Sequence, residues 1–267
     1  MAFEVGWYLY GFLSYGDLAP MTGIDGRSPL SLIAENGIAA LSSSVSLTEF
    51  GEEALRRNLE DLRWLEDKVR LHESIVESAL AKGPLLPMKF GTIFLDPERI
   101  RAVIRRNTPI LRAALEDLRE KEEWGVKGFA DPAALRAAVL RTDPALLALS
   151  REATAKPPGH AFFLRRKMET SASAKSRERE ESFAREALET IRETVVEVKE
   201  HPPLLPEARR GERIVFNLAC LVRQEGVETF LARVARWNRG YAEQGVRLVA
   251  SGPWPPYHFV PRLDNDG

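Results

Sequence analysis

Apolar residues recur along this chain with two different periods, and the switches between them divide it into elements. Residues 5–13, VGWYLYGFL, are a run of β-branched and aromatic types that predicts a buried strand. Glycine, proline and serine punctuation from Gly16 to Pro29 predicts a loop. LSLIA and GIAALSSSVSL follow as strands, with Asn36-Gly37 between them as a hairpin turn. Over 52–81 the period lengthens. Leu55, Leu59, Leu62, Leu65, Val69, Val76 and Leu80 recur at three- and four-residue spacing and predict one helix, ended by Gly83-Pro84. PLLPMKFGTIF (84–94) then reads as a strand or extended crossing.

Three Asp-Pro pairs mark helix starts at Pro97, Pro132 and Pro144. Aspartate accepts from the free amides of a first turn, and proline at the first helical position loses no needed donor. By the same logic the helix from Pro97 restarts at Thr108-Pro109 before ending near Lys121. EWGVKGFA (123–130) reads as a strand, and the domain boundary is placed near Glu120. Residues 159–200 predict a long, charged helix whose inner stripe is Ala184, Ala187, Leu188, Ile191, Val195 and Val198. Its stretch 169–182 is almost wholly polar and reads as frayed or solvent-bridging. HPPLLPEARRGE (201–212) predicts an exposed connector. A strand (RIVFNLACLVRQ), a helix (227–244) and a closing strand (VRLVASG) complete the chain's pattern. That helix turns Val227, Phe230, Leu231, Val234 and Tyr241 inward. The expectation is an α+β protein of two domains, 1–120 and 121–267, each with a mainly antiparallel sheet packed by helices.

Composition narrows function more than fold. The 267 residues are 44% hydrophobic and 29% charged, in the range of a globular protein. The formal charge of −1 supplies no overall field for nucleic acid or an anionic membrane. The longest nearly apolar stretch, Ile214–Val222, is nine residues and too short to span a bilayer as a helix. A single cysteine, Cys220, rules out an internal disulfide framework and fits a reducing, cytoplasmic setting.

Candidate chemistry is sparse. His72, His160, His201 and His258 are far apart, and Cys220 is isolated, so no sequence-local metal site is predicted. His72 falls on the predicted inner stripe of its helix and reads as a packed histidine. No phosphate-binding glycine loop and no nucleophile elbow occurs. The basic clusters LRRK (164–167) and EARRGER (207–213) are short and read as solvated faces. Neither a catalytic residue nor a cofactor is predicted. An enzyme with a site between the two domains is the least supported reading.

The most unusual stretch is SGPWPPYHFV (251–260), three prolines and three aromatics in ten residues. It either plugs the fold or presents a surface to a partner.

Several segments together resemble the gas vesicle protein F/L family (GvpF/GvpL). They are WYLYGFL near the start, HESIVESALAKGPLLPMKFGTIF (72–94), EWGVKGFAD (123–131), GHAFFLRRK (159–167), NLACLV (217–222) and GPWPPYHFV (252–260). The matches occur in order and cover nearly the whole chain. The resemblance implies a ferredoxin-like C-terminal half and an accessory role in gas vesicle assembly, without catalytic residues or cofactors. It also implies binding to the hydrophobic shell protein GvpA or to other accessory proteins, and association with the vesicle. The alternative is a minor structural component of the vesicle wall. For partner binding, Trp254, Pro255, Pro256, Tyr257 and Phe259 are the candidates, since aromatics and prolines bind at low entropic cost.

Overall fold

The computed structural model describes residues 5–14, 16, 21–202 and 211–264. Residues 17–20 of the expected loop and 203–210 of the expected connector, with part of the 207–213 basic cluster, lie outside the described residues. The chain forms two compact units, Met1–Glu122 with Pro255–Gly267, and Glu123–Trp254. Against the division expected at residue 120, the segment after Trp254 groups with the first unit.

In the first unit, β1 (Val5–Ser14), β2 (Leu30–Glu35), β3 (Ile38–Ser46), β4 (Leu85–Pro87) and β5 (Ile93–Phe94) form one antiparallel sheet. Its order is β2-β3-β1-β4, with β5 also pairing to β1. The β2–β3 turn is Asn36-Gly37, both in the left-handed region at φ 50° and 75°. That geometry suits the twist of a two-residue hairpin and favours asparagine followed by glycine. The register of β1 on β3 shifts between Leu9 and Gly11. Tyr8, Leu9, Tyr10 and Phe12 are all fully buried, so the strand is covered on both faces and reads as a continuous apolar run.

The predicted helix over 52–81 is broken. After the short α1 (Leu47–Phe50), α2 (Glu52–Asn58) stops and α3 (Leu62–Leu80) restarts. Asp61 accepts from the amides of Arg63 (2.9 Å) and Trp64 (3.3 Å), capping the new helix. Leu59 and Leu62 are exposed at this corner, and the buried face of α3 is His72, Ile75 and Val76. A regular leucine spacing here is not one inner stripe. The opposite correction applies to α4 (Pro97–Asp117), which runs through Pro109 without restarting. Proline removes the donor for the Arg105 carbonyl, and Thr108 Oγ1 approaches that carbonyl at 3.4 Å while bonding Ile104 O at 2.7 Å.

The second unit orders β6 (Lys121–Ala130), β7 (Glu197–Glu200), β8 (Arg213–Arg223) and β9 (Val246–Trp254) as β7-β8-β6-β9. With α8 (Val227–Tyr241) between β8 and β9, this is the ferredoxin-like order, second-third-first-fourth. The first crossover is enlarged to three helices, α5 (Pro132–Thr142), α6 (Pro144–Ala155) and α7 (Pro158–Arg192). Each of α4, α5 and α6 begins at its Asp-Pro pair, with Asp96, Asp131 and Asp143 accepting first-turn amides.

The core of this unit gathers Phe183, Ala187 and Ile191 of α7, Phe216, Leu218 and Cys220 of β8, and Phe230, Val234 and Trp237 of α8. The polar stretch 169–182 is neither frayed nor solvent-bridging. Ala172 is fully buried against Val139 and Leu146, so a small side chain lets α5 and α6 approach the helix. The predicted helix to residue 200 ends at Arg192. Glu197–Glu200 instead pairs antiparallel with Glu197 opposite Leu221, a short charged edge strand.

Candidate functional site

The five partner-binding candidates separate in burial. Trp254, the last residue of β9, is 50% exposed, and its indole N–H donates to Ser251 Oγ at 3.2 Å. Two residues earlier Gly252 sits at φ 142°, where a Cβ would meet the Trp124 ring and the Glu123 carbonyl at 3.1 Å. Pro255 and Pro256 are buried, as is Phe259, in a 3-10 turn over Tyr257–Phe259. These three are therefore corrected from surface candidates to packing residues. Tyr257 is partly buried.

Tyr257 ends a polar chain through the first unit. Its hydroxyl donates to Glu73 Oε1 at 3.0 Å and lies 2.9 Å from His72 Nε2. His72 Nδ1 lies 3.0 Å from the Tyr8 hydroxyl, which accepts from the Gly91 amide at 2.9 Å. Burial pushes the His72 imidazole down to about 4, so it is neutral near pH 7. The network then assigns the protons. A carboxylate only accepts, so Tyr257 donates to Glu73 and its oxygen accepts from His72 Nε2–H. The remaining ring nitrogen, Nδ1, accepts from Tyr8 O–H. Burial also raises the Glu73 carboxyl and the Tyr8 and Tyr257 phenols above their usual ranges.

Aromatic rings surround this chain of bonds. Tyr8, Tyr10 and Phe90 lie 5.7, 5.8 and 5.8 Å from His72 between ring centroids, and Tyr257 stacks over it at 6.4 Å. Tyr10, pushed up to about 12 by burial, takes the Ile24 amide at 2.7 Å and pairs with Ser43 Oγ at 2.9 Å. Such an arrangement positions backbone. It brings no nucleophile to the base, and a neutral imidazole between two phenols is fully occupied. At the other end of the segment, Asn107 exchanges side-chain bonds with Asp264 N (2.9 Å) and O (3.1 Å).

Elsewhere, the buried Cys220 thiol is pushed up to about 12 by burial, which suits a packing role. Among the described residues no group of three or more His, Cys, Asp and Glu could hold a metal ion. No helix is long and apolar enough to cross a membrane among the described residues.

Sequence reasoning missed the two most exposed aromatic residues. Phe162 and Phe163, in the first turns of α7, are 60% and 71% exposed and pack edge to face at 5.8 Å. The adjacent pair within GHAFFLRRK was the available signal, since successive helical positions cannot both face the core. Within the same segment Ala161 is buried.

Comparison with known proteins places the whole chain. The family model described as "Gas vesicle synthesis protein GvpL/GvpF" matches residues 6–261. Gas vesicle protein L from Streptomyces sp. (strain CB03234) is 29% identical over 246 residues, covering 91% of this chain and 87% of that protein. Gas vesicle protein F from the same strain is 27% identical over 257 residues, covering 95% and 98%. The crystal structure of GvpF from Anabaena sp. PCC7120 superposes with a TM-score of 0.66 at 21% identity, covering 97% of each chain. The first of these matches spans nearly all of both units, and the last shows the same fold. The chain belongs to the GvpL/GvpF family of gas vesicle synthesis proteins, and its role is related to gas vesicles.

Proposed function

We propose that the protein is an assembly factor that binds the gas vesicle shell protein GvpA, other accessory vesicle proteins, or both, and does so without catalysis. The observation that carries this reading is the family match over residues 6–261, within which both L-type and F-type relatives align. Its physical motive is that a hydrophobic wall subunit needs its apolar surface covered before it joins a wall. The histidines and the cysteine support the non-catalytic reading. His72 is locked in hydrogen bonds and the Cys220 thiol is held protonated. Of the C-terminal candidates, Trp254 is the one whose ring is available to a partner, with the hydroxyl edge of Tyr257 tied to the first unit.

The test is binding of the purified full-length chain to each purified vesicle protein encoded with it, GvpA included. Capture of at least one is expected. Capture of none would sink the assembly reading, and retention on purified vesicles through a urea wash would favour a built-in wall component instead.

A further inference from the structure

The beginning of α7 carries an exposed surface that neither the fold nor the helix requires. From Lys156 to Met168 the chain holds Lys156, Arg165, Arg166 and Lys167 and no aspartate or glutamate. All four cations are exposed, and none of them forms an ion pair among the described residues. Further along the same helix the pattern changes. Lys175 pairs with Asp143 at 2.6 Å, Arg179 with Glu186 at 3.3 Å, and Glu180 with Arg213. Helix stability alone would favour carboxylates near an amino-terminal end, yet the first turn of α7 has none. Residues that break a local rule without a structural return mark function.

Helical geometry joins these cations to the exposed phenylalanines. Phe162 and Arg166 are four residues apart, as are Phe163 and Lys167, so the four share one outward face. The opposite face is the one that buries Ala161 and Ala172. Two rings held edge to face, with cations around them, form a small apolar centre with a positive rim.

We infer that this face docks another gas vesicle protein, through a segment whose apolar side chains are bordered by aspartate or glutamate. The inference rests on the assembly reading above and names its surface. Charge complementarity selects the occupant. An apolar partner alone would leave Arg166 and Lys167 of this face unmatched, while carboxylates on its rim would pair with them and fix its register. Nucleic acid fits poorly, because four cations around two rings in a chain of net charge −1 do not make a track for a phosphate backbone.

The experiment measures affinity of the full-length chain for each purified vesicle protein, using the double variant F162S/F163S and the triple variant R165E/R166E/K167E. All five positions are exposed, so both variants should keep the wild-type unfolding midpoint. Both should bind the same vesicle protein about ten-fold or more weakly than wild type does, the size of a lost interface anchor. Wild-type binding should also weaken between about 0.05 M and about 0.5 M salt, where screening shortens sharply. Full-strength binding by both variants would overturn this surface while leaving the assembly reading intact. Failure of wild type to bind any vesicle protein would overturn both. Loss confined to binding of phosphatidylcholine–phosphatidylserine vesicles would overturn it in favour of a lipid surface.

Discussion

Two aromatic clusters of this protein, one in a proline-rich 3-10 turn and one at the start of a long helix, differ in burial. Pro255, Pro256 and Phe259 are buried and Tyr257 is hydrogen-bonded at both ends of a carboxylate–imidazole chain. Phe162 and Phe163 stand in solvent beside Arg166 and Lys167, which form no ion pair among the described residues. Aromatic density therefore does not tell a buried anchor from an exposed face. The polar company of the rings does. The Tyr257 hydroxyl reaches a buried imidazole and holds its segment down, whereas Phe162 and Phe163 have no such bond and stay exposed.

The contrast can be broken most sharply at Phe259. Truncation in Phe259→Ala should cost about 3 kcal/mol of stability, the usual loss for a buried ring. Urea unfolding followed by tryptophan fluorescence would read it, and a loss under about 1 kcal/mol would mean the segment is no anchor.

Acid should act on the same anchor. His72 is held near 4 in the folded state against an ordinary value of 6.5, so the unfolded chain binds more protons between those values. Stability present above about pH 6.5 should therefore fall as pH drops toward 4, by about 3 kcal/mol from this group. Glu73, raised by burial, acts in the opposite direction, its contribution being lost as pH rises through its folded value. Tyr8, Tyr10 and Tyr257, the other titratable groups around the ring, stay neutral throughout that window. Thermal melts of wild type and His72→Gln from pH 4 to 7 would separate them, since the variant's midpoint should vary less in acid.

A finer cut is Tyr257→Phe. It keeps the ring and removes the hydroxyl, leaving His72 Nε2–H without its acceptor, and should cost about 1–2 kcal/mol. Equal stability of the variant in urea would show that a water replaces the hydroxyl. The smallest effect is expected on the other side of the comparison. F162S/F163S should change stability by no more than about 0.5 kcal/mol, because both rings are mostly exposed and touch chiefly each other. A loss above about 2 kcal/mol in the same assay would place those rings in the fold rather than at a partner.

Much of the architecture was legible because its causes are local. Asp96, Asp131 and Asp143 cap the helices that their Asp-Pro pairs announce, and Asn36-Gly37 makes the turn its backbone preferences favour. The strand–helix–strand at the end of the second unit followed its hydrophobic period, with Phe230 and Val234 inward as the spacing required. Trp237, absent from that reading, joins them one turn later.

The misreadings share a cause as well. Leucine spacing across Leu59 and Leu62 imitates an inner stripe, but Asp61 offers its carboxylate to a new first turn and breaks the helix. The polar stretch 169–182 looked unsupported because its one buried contact, Ala172, is too small to register as hydrophobic patterning. The strand Glu197–Glu200 has no alternation to detect and exists because β8 offers it an edge.

The family, the α+β class and the capped helix starts were readable without coordinates, because they reside in residue types and short spacings. Only the tertiary structure decided which aromatics are anchors and which are surface. The Tyr257–His72 bond joins residues 185 positions apart, and the exposure of Phe162 and Phe163 depends on which face of α7 its neighbours cover. Burial of a segment without regular period depends on what arrives from elsewhere in the chain, and its aromatic content alone does not carry it.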